Sequence, residues 1–156
     1  MGDVTTEIAN APMNVLGIEL LVAAILTTLC VALHGIGLTW IARFVNLSDQ
    51  SERATRVLPV SPKGIMITIA LVLGLFVLHF LEIWIFAVFY LWADALPTLE
   101  SALYHSVISY STVGYNDGGI EPRWRLVGAM ESIVGIILLG WSTAYFVRLL
   151  GRIDAR

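Results

Sequence analysis

Three long apolar stretches decide what this chain can fold into. They lie near Val15–Val45, Gly64–Trp92 and Leu126–Leu150, and each exceeds the about 20 residues that a helix needs to cross a bilayer. The first stretch has no Asp, Glu, Lys or Arg between Leu20 and Ile41. Because the lipid core offers no hydrogen-bond partners to the backbone, we expect each stretch to form a transmembrane helix.

The composition excludes the main classes of soluble protein. Apolar residues make up 58% and charged residues 13% of the 156 residues, whereas a soluble domain carries about twice that share of charges. This balance argues against a cytosolic enzyme and against a disordered chain. The net charge of −3 is small and has the wrong sign for nucleic-acid binding. The single cysteine, Cys30, cannot form an internal disulfide or a thiolate metal site, and we expect it to be buried.

The distribution of basic residues predicts the orientation in the membrane. Lys and Arg are enriched in cytoplasmic loops, and seven of the nine basic residues fall on one side of the predicted spans. We therefore expect the N-terminus outside and the C-terminus in the cytoplasm, with only Arg123 and Arg125 opposing this orientation. The seven residues are Arg43, Arg53, Arg56, Lys63, Arg148, Arg152 and Arg156.

The segment between the second and third spans predicts a re-entrant loop. Residues Thr98–Tyr110 favour a helix of about 20 Å, which is too short to cross the membrane. The following residues, Ser111–Gly119, are β-branched and Gly-rich and favour extended chain. Irregular backbone at membrane depth requires cover by protein or water. We therefore expect several copies of the chain to surround this segment.

A resemblance to a known family becomes specific at Thr112-Val113-Gly114-Tyr115, which matches the start of the potassium-channel signature. The order of apolar span, short helix, signature, Asp117 and apolar span matches as well. Over about Gly64–Leu150 the chain resembles bacterial two-transmembrane-pore potassium channels, with one additional N-terminal span. Further matching motifs are His79-x-x-Glu82-x-Trp84, Ala102-Leu103-Tyr104, Trp124-Arg125-Leu126, Glu131-x-x-x-Gly135 and Gly140-Trp141-Ser142-Thr143-Ala144; the first span matches more weakly, around His34-Gly35.

The resemblance implies a domain division and a set of ion ligands. Residues 1–63 would form the N-terminal helix and a cytoplasmic linker, and residues 64–156 the pore module. The backbone carbonyls of Thr112, Val113, Gly114 and Tyr115, together with the Thr112 hydroxyl, would coordinate K⁺ in single file. Asn116 stands where the family has its second filter glycine. Since Asn tolerates positive φ better than most residues, the substitution need not break the filter.

The resemblance also nominates residues that support the filter and line the cavity. Asp117 is predicted to accept a hydrogen bond from Tyr104 or His105. Gly135 resembles the hinge glycine of the inner helix, although a role in close helix packing is equally compatible with the residue. Helical spacing from Gly135 nominates four residues for the cavity wall. They are Ile136, Leu139, Thr143 and Val147.

Four ionisable residues inside the predicted spans have both a functional and a structural interpretation. Glu82 and Glu131 could form an ion or proton path, but hydrogen bonds to the short helix or a neighbouring span are favoured. His34 and His79 could sense pH, but packing roles are favoured. A zinc site would need a third donor at the same depth as these histidines, and none is evident from the sequence.

We therefore expect an all-α membrane protein with three transmembrane helices, a re-entrant pore helix and a filter in each chain. Four identical chains would form a cyclic homotetramer in a prokaryotic inner membrane. The expected function is passive, selective K⁺ permeation, without enzymatic activity and without a cofactor. Because Asn116 alters the outer filter, a weakly selective cation channel is an alternative. A non-conducting membrane subunit or an intramembrane enzyme built on Glu82, Glu131 and the histidines is another.

Overall fold

The computed structural model describes residues 13–50, 62–114 and 119–154, which are mostly helical with no strand among them. This confirms the predicted all-α class. A single turn of 3₁₀-helix, Pro122–Trp124, leads into the last helix. The α-helices are α1 (Met13–Gln50), α2 (Pro62–Trp92), α3 (Leu99–Tyr110) and α4 (Arg125–Asp154).

Three of the helical stretches are long and apolar enough to cross a membrane, as predicted. They run over Val15–Phe44, Gly64–Trp92 and Pro122–Leu150 and contain 30, 29 and 29 residues. At about 1.5 Å per residue each exceeds the roughly 30 Å of the hydrocarbon core. Large apolar side chains such as Met66 and Phe76 lie exposed on the single chain, as is typical of a helix that faces lipid or another copy.

The short helix α3 begins with a complete capping box. The Ser101 backbone N–H donates to Oγ1 of Thr98 at 3.1 Å, and the Thr98 backbone N–H contacts Oγ of Ser101 at 3.2 Å. Glu100 in the first turn faces the positive end of the helix dipole. With 12 residues, α3 is about 18 Å long. It therefore ends inside the bundle, as the re-entrant loop requires.

The helix α3 packs between α2 and α4, and α1 packs against α2 and α4. The ends of the re-entrant segment meet where the Glu121 backbone N–H donates to the Ala95 carbonyl at 3.1 Å. Cys30 of α1 is fully buried in the same core, as expected. The N-terminal helix is therefore an integral part of the bundle that encloses α3. Other fully buried core residues are Phe86, Ala87, Tyr90, Ala102, Val127 and Leu138.

Candidate functional site

The backbone after α3 folds back onto the last turn of that helix. The Ser111 N–H donates to the Val107 carbonyl at 3.0 Å, and the Thr112 N–H donates to the Ser109 carbonyl at 2.9 Å. Two residues later, the Gly114 N–H donates to the Ile108 carbonyl at 3.0 Å. Carbonyls at a helix C-terminus have no partners within the helix. These bonds supply partners and fix the position of the segment that carries the predicted ion ligands.

The sign of the backbone angle φ alternates along this segment. Thr112 has φ 62° and Gly114 has φ 57°, whereas Val113 between them is not among the residues with positive φ. The N–H groups of Thr112 and Gly114 face the end of α3. Because a trans peptide holds its carbonyl opposite its N–H, the carbonyls of Ser111 and Val113 face away from α3.

Over Ser111–Gly114 this geometry differs from the extended chain predicted for Ser111–Gly119, and residues 115–118 of that prediction lie outside the described residues. Positive φ is a genuine outlier for a β-branched residue such as Thr112, and propensity alone therefore gave no signal for it. Such strain costs of the order of 1–3 kcal/mol and persists only where the surroundings enforce it, most often at functional sites. Here the hydrogen bonds of the Thr112 and Gly114 N–H groups to α3 hold Thr112 in this conformation.

Two predicted filter residues, Tyr115 and Asn116, and the predicted filter-support residue Asp117 lie outside the described residues. Their predicted roles as ion ligands, outer filter and hydrogen-bond acceptor stay predictions. Within the described part, Thr112, Val113 and Gly114 are all exposed on the single chain, with 64% of the Val113 surface accessible.

The two predicted filter-support residues on α3 lie in different surroundings. Tyr104 is 55% exposed. His105 is buried, with its ring edge against Tyr90 at a centroid distance of 5.2 Å. Its Nε2 lies 3.4 Å from Oγ of Ser109, and a Cβ on Gly128 of α4 would come within 3.1 Å of the same nitrogen. His105 therefore fills the space between α2, α3 and α4.

Gly135 lies directly against the end of α3. A Cβ at this position would overlap the Tyr110 carbonyl oxygen, so α4 can pass the end of α3 only because residue 135 has no side chain. The helix α4 is continuous through this point. The contact favours the packing interpretation of Gly135, and the hinge role stays a prediction.

The four nominated cavity residues share an exposed face of α4. Ile136 and Val147 are the most exposed, at 59% and 63%, and the Thr143 hydroxyl donates to the Leu139 carbonyl of its own helix at 2.8 Å. Helical geometry places them away from the face that Glu131, Leu138 and Ser142 bury within the chain. Their role in a cavity wall stays a prediction, because it requires further copies of the chain.

A family model described as "Ion channel" matches residues 65–152. The chain belongs to this ion channel family. The match covers α2, α3, the segment that follows α3 and nearly all of α4, and it leaves α1 outside. No curated protein and no solved structure matches the chain. Together with the three helices of spanning length, membership makes the chain a multi-pass membrane protein.

One buried carboxylate of the channel joins three helices. Glu131 of α4 is fully buried and accepts a hydrogen bond from the Tyr90 hydroxyl of α2 at 2.7 Å. The Ser106 hydroxyl of α3 contacts its other carboxylate oxygen. A buried carboxylate needs such hydrogen-bond partners. The contacts with Tyr90 and Ser106 therefore support the structural role of Glu131 that the sequence favoured.

The second buried carboxylate brings all four helices together. Oε1 of Glu82 on α2 lies 2.8 Å from Nδ1 of His34 on α1. Its other oxygen, Oε2, lies 3.1 Å from Nδ1 of His79, which is also on α2. The Tyr110 hydroxyl at the end of α3 donates to Oε2. Ser142 of α4 closes a ring, because its Oγ lies 2.9 Å from Nε2 of His79 and 3.2 Å from Nε2 of His34.

This ring corrects the expectation that no third donor lies at the depth of the two histidines. Glu82 is that donor, and the ligand atoms of His34, His79 and Glu82 all lie within 4.8 Å of one another. The spacing of His79 and Glu82 by three residues placed them on one helix face. The approach of His34 and Ser142 had no signal in the sequence, since it depends on the rotation of α1 and α4 about their axes.

The Tyr110 phenol is held in its neutral form at this junction. Burial raises its pKa, and the hydrogen bond to Glu82 raises the pKa further. The hydroxyl therefore stays protonated at physiological pH and remains a donor. Because Tyr110 is the last residue of α3, its contact with Glu82 attaches the end of α3 to α2 two residues before Thr112.

Proposed function

We propose that this ion channel conducts K⁺ passively and selectively through a filter that begins at Thr112. The observation that carries the proposal is the alternating backbone from Thr112 to Gly114, whose N–H groups bind the last turn of α3. The Ser111 and Val113 carbonyls then face away from α3, and we propose that the carbonyls of Thr112 to Tyr115 form a row along the pore. A row of carbonyl dipoles is the arrangement that replaces the hydration shell of K⁺ in selectivity filters.

The proposed conducting unit is a homotetramer. In one chain Thr112, Val113 and Gly114 are exposed, and a dehydrated cation needs oxygens on all sides, which a single proposed column of carbonyls cannot supply. Cyclic symmetry around the exposed face of Thr112–Gly114 would supply them from identical columns. The same symmetry would bring the exposed faces of the α4 helices, with Ile136, Leu139, Thr143 and Val147, around a central cavity.

The direction of α3 supports a cation as the permeant ion. The helix begins at its capping box around Thr98 and ends at Tyr110, next to the proposed filter. The C-terminal end of a helix carries partial negative charge. Four such ends that point toward one cavity would stabilise a cation there, so permeation needs no further cofactor.

The proposed location is a prokaryotic inner membrane, with the N-terminus and the α2–α4 segment outside. The distribution of Lys and Arg supports this orientation, because seven of the nine basic residues would lie on the cytoplasmic side. In this orientation, the proposed filter opens to the outside and the α4 helices line the inner half of the pore.

Flux from proteoliposomes tests the proposal. The purified chain should elute with the mass of four subunits and should release ⁸⁶Rb⁺, a K⁺ substitute, much faster than ²²Na⁺ under matched gradients. Equal rates would indicate the weakly selective cation channel that Asn116 makes an alternative. Tetramers that release neither ion would indicate a non-conducting subunit, and a monomer would contradict the proposed assembly.

A further inference from the structure

We propose that His34, His79 and Glu82 bind a divalent transition-metal ion, with Zn²⁺ the best match to the donors. Imidazole nitrogen and carboxylate oxygen are established zinc ligands. The site lies between α1 and α2 and is closed by Tyr110 of α3 and Ser142 of α4. It is separate from the proposed filter, so the inference holds whether or not the channel selects K⁺.

The donor atoms already converge at close to coordination distance. Nδ1 of His34 and Nδ1 of His79 lie 2.8 and 3.1 Å from the two oxygens of Glu82. Ligands of a tetrahedral zinc ion, each about 2.0–2.1 Å from the metal, lie about 3.3 Å apart. The two histidine–carboxylate distances would therefore open by a few tenths of an ångström, and any longer distance among the three ligand atoms, all within 4.8 Å of one another, would shorten toward about 3.3 Å. The Tyr110 hydroxyl, 2.8 Å from Nδ1 of His79, closes the site on the α3 side.

The count of protons in the ring points to an additional bound cation. Glu82 faces Nδ1 of both histidines, and Ser142 faces Nε2 of both, which makes four contacts. An ionised carboxylate brings no proton, serine brings one, and a neutral imidazole brings one. The Tyr110 hydroxyl brings a fourth proton but donates it to Oε2 of Glu82, so three protons remain for the four contacts. Without a metal, all four contacts are hydrogen bonds only when one histidine is doubly protonated and forms an ion pair with Glu82.

A metal ion removes this deficit while both imidazoles stay neutral. With the ion on the two Nδ1 atoms, each histidine carries its proton on Nε2 and can donate it to Oγ of Ser142, which has two lone pairs. Metal-bound histidines characteristically donate their second ring N–H to an oxygen in this way. Glu82 offsets one of the two positive charges, and the partly negative C-terminal end of α3 at Tyr110 favours the other.

The enclosure of the site predicts a structural rather than a catalytic metal. His34 and Glu82 are fully buried, and only His79 of the three has partial access, with 13% of its side chain exposed. The ion would enter as the helices pack and then exchange slowly. Since α1 lies outside the family match and supplies His34, the metal would fasten this additional helix to the pore module.

Metal analysis of the purified channel tests the proposal. The full chain, carrying an affinity tag without histidine, is expressed with added Zn²⁺, washed with a chelator in detergent and analysed by inductively coupled plasma mass spectrometry. We expect about one zinc ion per chain, as for a closed structural site. The bound zinc per chain should fall at least tenfold in each of the variants His34→Ala, His79→Ala and Glu82→Gln. Glu100→Gln is the matched control for Glu82→Gln, because this exposed glutamate in the first turn of α3 lies outside the cluster.

A second measurement guards against variants that fail to fold. Ser142→Ala keeps all metal ligands and removes only the oxygen behind the two histidines, so the affinity should fall about 10–100-fold in chelator competition. Wild-type channel that carries no metal above the level of the Glu82→Gln variant would overturn the proposal and leave a bound proton in the ring. Metal that stays at the wild-type level in all three ligand variants would overturn it as well. None of these measurements depends on ion flux.

Discussion

At the scale of single residues, two positions at the end of α3 have unusual local geometry. Thr112 adopts φ 62° although it is β-branched, and Gly135 occupies a position where any Cβ would overlap the Tyr110 carbonyl. Both constraints lie at the end of α3, where the candidate filter begins. Local strain at one point that several contacts enforce is typical of a functional site.

Removal of the Thr112 hydroxyl tests the innermost predicted ion ligand. Thr112→Val keeps the β-branched shape and removes one oxygen from each chain, so we expect altered K⁺ conduction or inner-pore block with assembly preserved. Thr28→Val is the matched control, because the Thr28 hydroxyl is exposed and bonds only the Ala24 carbonyl of its own helix at 2.7 Å. Currents and block of Thr112→Val that equal those of the control would argue against a ligand role.

Addition of a methyl group at Gly135 tests the close approach of α4 to α3. Gly135→Ala should destabilise the folded protein by about 1–3 kcal/mol, the usual range for overpacking, because the Tyr110 backbone must move. Gly140→Ala in the same helix is the control, since a Cβ there meets nothing within 4 Å. Thermal unfolding in detergent should lower the Tm of the first variant only. Equal Tm values would contradict the packing role.

At the scale of helices, two buried carboxylates each make a polar contact with α3. Ser106 in its middle contacts Glu131 of α4, and Tyr110 at its end contacts Glu82 of α2. Hydrogen bonds between helices add to van der Waals packing in a lipid bilayer. The two carboxylates therefore add directional contacts to the apolar packing of Ala102 and Ile108.

The Ser106–Glu131 contact can be tested with a matched pair of substitutions. Ser106→Ala leaves the buried carboxylate of Glu131 with one donor fewer, which should destabilise the protein by about 1–3 kcal/mol. Ser132→Ala is the control, because the Ser132 hydroxyl bonds the Gly128 carbonyl of its own helix at 3.3 Å. A smaller loss of Tm for Ser106→Ala than for Ser132→Ala would be incompatible with the proposed anchoring of α3.

At the scale of the whole molecule, the sequence was sufficient to predict the number and type of helices, but not the contacts between them. The lengths of the apolar stretches and the shortness of the Thr98–Tyr110 segment were sufficient for three spans and a re-entrant helix, because the bilayer thickness sets both limits. The sequence also favoured structural roles for Glu82 and Glu131, since buried charges need partners.

Two features could not be predicted, each for a physical reason. His34, Glu82 and Ser142 are separated by 48 and 60 positions in the sequence, and their approach depends on how the helices rotate during packing. The left-handed conformation of Thr112 opposes the local propensity of a β-branched residue and arises from its hydrogen bond to Ser109. Both features come from tertiary structure, which periodicity and motif matching do not describe.

The helix α1 lies outside the family match but belongs to the same bundle. It contributes Cys30 and His34 to the buried core, and through Glu82 it is linked to Tyr110, the residue that ends α3. The proposed filter is therefore connected through Glu82 and Tyr110 to a helix that the family match does not include.

The most direct test of the central claim is the reversal potential of the reconstituted channel with K⁺ on one side of a planar bilayer and Na⁺ on the other. We expect the wild type to reverse close to the K⁺ equilibrium potential. Asn116→Gly should leave that potential nearly unchanged, because the proposed inner coordination comes from Thr112 to Tyr115. A wild-type reversal potential near zero that moves toward the K⁺ value in Asn116→Gly would contradict the account and identify a weakly selective cation channel.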